Sequence, residues 1–225
     1  MTKKSLTGIG ALALAAGMAA AHEGDYGLLV QGGQVVTGIG DHDTGTIGDI
    51  GERVFAAEID INGAFWEAEE PGVFIPEASL PDNTQVSFTI EAALRYWDGT
   101  GPVNLSVAPD AMTLEFGPES RTTPAVDGDV SGFSITYDAD AIGGFDEHFD
   151  FLMDSGAPAG IYVLQMRFGL SGFADSESTW TVFNAGLDEA AHEEAIEWVE
   201  ANLVPAPGAL ALLGFGSLGL ARRRR

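Results

Sequence analysis

Short stretches of alternating apolar and polar residues, interrupted every few positions by glycine, proline or aspartate, run through positions 22–203 and constrain the fold more than any other feature. A period of two puts successive side chains on opposite faces, the pattern of half-buried strands. Segments 26–31 and 34–37 flank Gly32-Gly33, a pair suited to a two-residue hairpin turn whose central positions need positive φ. Segments 53–61, 85–96, 103–107, 112–116, 130–137, 149–153, 161–170 and 179–183 repeat the pattern, joined by turn residues and not by alternating helices. The expected fold class is therefore mainly β, an antiparallel β-sandwich or jelly roll.

Helical periodicity occurs once in this body. Asp188 is a suitable N-cap for a helix over 188–203, with Ala191, Ala195, Trp198 and Val199 on one stripe, widened by Ile196 and Leu203. Glu193, Glu194, Glu197 and Glu200 face outward in this reading, and His192 is read as a solvated residue among them.

A body of roughly 180 residues can close a core unaided, since a domain of that size buries about 70% of its unfolded surface. The chain has no cysteine, and its hydrophobic share of 45% excludes a disordered acidic tail as the reading of the whole. Only Arg53, Arg95, Arg121 and Arg167 are basic between positions 22 and 203, against all 34 acids, a net of −30 there. Such a surface excludes nucleic acid as a partner and attracts cations.

Both ends differ from the body. Lys3 and Lys4 precede an apolar run from Leu6 to Ala20, and Ala19-Ala20-Ala21 gives the small-x-small pattern before His22. That order is expected of a signal peptide over 1–21, cut by signal peptidase after Ala21. At the other end Val204-Pro205-Ala206-Pro207 leads into an apolar stretch and then Arg222, Arg223, Arg224 and Arg225. A helix over the 16 residues 206–221 would reach roughly 24 Å, a short transmembrane helix with its arginines on the cytoplasmic side.

The tail over 204–225 resembles the PEP-CTERM sorting signal of exosortase substrates, with Ala206 where the usual motif has glutamate. The segments 145–151 with 156–162, and 180–184, resemble units that recur in exported proteins of that kind. The resemblance implies export across the inner membrane, transient anchoring, cutting by an exosortase-type enzyme, and delivery to the cell surface or extracellular matrix. It brings no known activity.

No nucleophile elbow, phosphate loop or HExxH spacing is present, so no catalytic residue is assigned and the body is read as non-enzymatic. Cleavage after Ala21 would expose the His22 amine beside its imidazole, and His42 or His148 could add a further ring for zinc or copper. Alternation along 147–153 puts Phe149, Phe151 and Met153 on one face and His148 with Asp150 on the other, near Asp146. The metal candidates are thus His22, His42, His148 and Asp150. Asp127-Gly128-Asp129 and Asp138-Ala139-Asp140 resemble pieces of calcium loops but lack the full spacing, and are read as turns. Trp66, Trp97, Trp180 and Trp198 would offer a platform for extracellular polysaccharide if exposed. Three readings stay open: a structural surface protein, a metal-binding protein and a carbohydrate-binding module.

Overall fold

The computed structural model describes residues 24–205. The expected signal segment, His22, Ala206, Pro207, the apolar stretch and Arg222 to Arg225 lie outside the described residues. Among the described residues no helix is long and apolar enough to cross a membrane.

The hairpin forms as expected, from β1 (Asp25–Gln31) and β2 (Gln34–Asp41), with Gly32 and Gly33 at φ of 60° and 85°. The chain then makes β3 (Thr46–Gly48), β4 (Val54–Glu58), β5 (Asp60–Asn62), β6 (Phe65–Ala68) and β7 (Val73–Ile75). The middle contributes β8 (Gln85–Ile90), β9 (Arg95–Trp97), β10 (Ser106–Val107), β11 (Thr113–Phe116), β12 (Glu119–Thr122) and β13 (Val130–Thr136). Last come β14 (Phe145–Glu147), β15 (Asp150–Asp154), β16 (Gly160–Leu170), β17 (Thr179–Ala185) and α1 (Glu189–Asn202). The protein is mainly β with one helix at the end of the described chain.

These strands make three sheets. The first runs β14-β7-β1-β2-β3 and the third β12-β11-β15-β6-β5. The central sheet runs β10-β9-β16-β17-β4, with β8 also on β16 and β13 on β8. Most pairs are antiparallel, but β1 with β7 and β4 with β17 are parallel, so the expectation of a purely antiparallel arrangement is corrected. Alternation reveals which face a side chain takes and says nothing about which distant strand will be its neighbour.

The long strand β16 organises the centre. Its Met166–Leu170 half pairs with β8 and its Ile161–Val163 half with β9, so the expected single strand over 85–96 is interrupted between them. One face of the central sheet sends Tyr162, Leu164, Met166, Phe168 and Phe183 into the main core, which all three sheets enclose. The buried Tyr26 hydroxyl shares a hydrogen bond with Thr181, tying β1 to β17. The opposite face carries Val54, Ile161, Val163, Trp180 and Val182, and α1 covers it. Every residue of β17 is consequently buried, as expected of a strand covered on both faces.

Asp188 caps α1, accepting the Ala191 N–H. The buried positions of the helix are His192, Ala195, Ile196 and Val199, spaced i, i+3, i+4, i+7. The stripe is therefore rotated from the one expected. Ala191 and Trp198 are half-buried, while His192, read from the sequence as solvated, is only 3% exposed. Ile196 and Val199 each contribute roughly 1.5–3 kcal/mol by leaving water. Past the helix, the Val204 N–H donates to the Val199 carbonyl, and Pro205 is exposed.

Candidate metal centre

The centre is built where β1 begins. Asp25 opens that strand with a side chain only 4% exposed, and its Oδ1 accepts the Gly72 N–H at 2.8 Å. The Gly72 carbonyl in turn accepts the Tyr26 N–H at 2.8 Å, which locks the entry to β7 alongside β1. Glycine at position 72 lets the two side chains close in, because a Cβ there would sit 2.8 Å from His148 Nδ1 and 2.9 Å from Asp25 Oδ1. The Gly72 N–H also reaches Glu70 Oε2 at 3.2 Å, so two carboxylates converge on one amide.

His148 fills the gap between β14 and β15. Its Nδ1 lies 3.2 Å from the Glu69 carbonyl and 3.5 Å from Glu70 Oε1, and its Nε2 is 3.2 Å from Asp146 Oδ1. His42 follows β2, with Nδ1 3.8 Å from Asp25 Oδ2 and Nε2 3.5 Å from Asp43 Oδ1. Donor atoms of Asp25, Glu70 and His148 lie within 4.8 Å of one another, and so do those of Asp25, His42 and Asp146. Asp25 is common to both triads. Beside it opens a cleft of about 530 Å³, lined by Gly24, His42, Ala57, Glu58 and Glu70 among others.

The electrostatics favour a cation. Burial raises the Glu70 pKa above the ordinary carboxylate range, and the neighbouring Asp25 charge and hydrogen bond add to the rise. Burial by itself would lower the His148 pKa, but Glu70, the Glu69 carbonyl, Asp25 and Asp146 outweigh it and leave the pKa raised. Among the described residues no guanidinium relieves these carboxylates: Arg53 holds Glu177, Arg95 holds Asp127, Arg121 holds Glu119, and Arg167 holds Glu91 and Asp129. With metal–ligand bonds near 2.1 Å, the 3.5 Å between His148 Nδ1 and Glu70 Oε1 subtends about 110°, a tetrahedral angle. Mixed imidazole and carboxylate donors suit zinc or copper better than calcium, which takes oxygen alone.

Of the residues expected from sequence, His42 and His148 come together around one carboxylate. His22 lies outside the described residues. Asp150 belongs to neither triad. The strand stops at Glu147 and restarts at Asp150, which releases His148 toward Asp25 and Glu70. Asp150 pairs in register with Glu115, and burial, followed by the charges of Glu67, Glu69 and Glu115, raises its pKa. Asp25 and Glu70 were missed. The only signals were an acid beside the first apolar alternation and a Glu-Pro-Gly turn before β7, neither of which stands out among 34 acids.

The other candidates have structural work. Asp127 and Asp129 are counter-ions of Arg95 and Arg167, and Asp138 accepts the Asp140 N–H in a turn. Trp66, Trp97 and Trp180 are buried and Trp198 is half-buried, so they form no exposed platform for polysaccharide. No family model matches the chain, and no curated protein matches it.

Proposed function

We propose that this is an exported, non-catalytic protein of the cell surface or matrix, delivered by PEP-CTERM-type sorting, whose sandwich-like body binds a first-row divalent metal. The metal reading rests on one observation: buried Asp25 is shared by two triads that each bring one imidazole and a second carboxylate. Zinc is the ion best matched to those donors and to a protein with no redox-active cysteine. The export reading is supported by the order of charged, apolar and small residues before His22 and by the proline, apolar and arginine order after Leu203.

The test uses the chain beginning at His22, purified in detergent, stripped by a chelator and titrated with zinc against a chromophoric competitor. Asp25→Asn preserves an acceptor for the Gly72 N–H while removing the shared charge. Zinc affinity is expected to fall by about 100-fold or more in that variant. Equal affinities for wild type and variant would refute the Asp25 centre. Recovery of the protein solely from the cytosol of producing cells would refute export.

A further inference from the structure

A second set of donors meets around Glu58. Glu58, at the end of β4, lines the cleft, and its Oε1 lies 3.2 Å from Nδ1 of His192. Donor atoms of Glu58, Glu189 and His192 lie within 4.8 Å of one another, and none of the three belongs to the Asp25 centre.

The tautomer of His192 is what distinguishes this cluster from a patch of acids. The ring is 3% exposed, beneath α1, and its Nε2 meets the Val182 carbonyl at 2.9 Å. A carbonyl only accepts, so Nε2 carries the hydrogen of that bond. In the unprotonated ring the lone pair is then on Nδ1, 3.2 Å from Glu58 Oε1. Anchoring one ring nitrogen to a backbone carbonyl is how metal-ligating histidines are oriented.

A neutral ring nitrogen and a carboxylate oxygen are both acceptors, and they attract only through a positive centre between them, a proton or a metal ion. At bond lengths near 2.1 Å, their 3.2 Å separation subtends about 100° at a shared ion, close to tetrahedral. The carboxylate is held in place as well. Asn184 Nδ2 donates to Glu58 Oε1 at 3.1 Å, and Asn184 Oδ1 accepts the Leu187 N–H at 2.9 Å. Capping of the helix falls to Asp188, which leaves the Glu189 carboxylate available to the cluster.

We propose that Glu58, Glu189 and His192 form a second divalent-cation site, of zinc-binding class, that fastens α1 to β4 and β17. It stands independently of the Asp25 centre because the two share no ligand.

The experiment is zinc titration of the Asp25→Asn chain, followed by nitrogen NMR of the histidine rings and by thermal unfolding. One zinc equivalent is expected to remain, with the His192 Nδ1 resonance shifted by the metal and the midpoint of unfolding raised. Glu58→Gln and Glu189→Gln, which keep size and leave the buried ring untouched, should each weaken that remaining equivalent by about tenfold or more. A saturating-zinc spectrum in which His192 Nδ1 still carries a proton overturns the site, as does residual binding that ignores both glutamine variants. If Asp25→Asn abolishes all zinc binding by a wild type that takes one equivalent, this site fails and the Asp25 centre stands. If the variant binds as wild type does while His192 responds, the Asp25 centre fails and this site stands.

Discussion

Two acidic nests in this molecule are resolved in opposite ways. Around Arg167, Glu91 lies 2.7 Å from Nη1, Asp129 lies 2.7 Å from Nη2, and Asp175 lies 3.4 Å from Nε. Hydrogen bonds to Asp129 and Glu91 lift the guanidinium pKa further above its already high range, so this positive charge never leaves. Around Asp25, among the described residues, the carboxylates of Glu70 and Asp146 meet the imidazoles of His42 and His148 in place of a guanidinium. A permanent cation makes a structural joint that binds nothing else. An exchangeable one leaves a place where a metal can replace the proton.

The contrast can be broken most forcefully at Asp25. Asp25→Asn should reduce zinc affinity at the Asp25 centre by about 100-fold or more while leaving metal-free stability in urea within about 1 kcal/mol of wild type. The small stability change follows from relief of the repulsion between Asp25 and Glu70, which offsets lost contacts. The reciprocal change, Arg167→Met, should cost about 2 kcal/mol in urea unfolding and leave zinc affinity within about twofold. A variant of Arg167 that lost zinc but kept its stability would erase the distinction between the nests.

pH sharpens the comparison further. The pKa of His148 is raised in the fold, so its contribution to metal-free stability is fully present below about pH 6.5 and is lost as pH rises through the folded value. Zinc needs the unprotonated ring, so affinity should fall by up to about tenfold per pH unit below that folded value. Thermal unfolding with chelator and with zinc should therefore show opposite pH trends across neutrality. Parallel trends would mean that His148 takes no part in binding. The smallest effect belongs to an exposed pair: Glu177→Gln, which frees Arg53, should change stability by less than about 1 kcal/mol and shrink further in high salt.

Much of the fold was legible because strand alternation and turn chemistry act locally. The Gly32-Gly33 hairpin, β16, β17 and the Asp188 cap follow from residues close together in the chain. Short strands such as β3, β7 and β14 were not, since three residues carry too little periodicity to register. His192 was misjudged for a different reason. A polar residue on the i, i+3, i+4, i+7 track reads as solvated until the Val182 carbonyl that receives its ring is known. The candidate centre was half legible: rare histidines are conspicuous, whereas Asp25 and Glu70 gain their meaning only when β7 is laid parallel to β1.

The parallel pairing of β4 with β17 also governs the order in which the chain can mature. Thr181 faces Phe55 in that register, so a strand delivered early must wait for one delivered near the end. Until then β4 has an open edge and the apolar face that α1 will cover is bare. A polypeptide interrupted before position 179 cannot seal its interior, and such fragments should be degraded by proteases while complete chains survive.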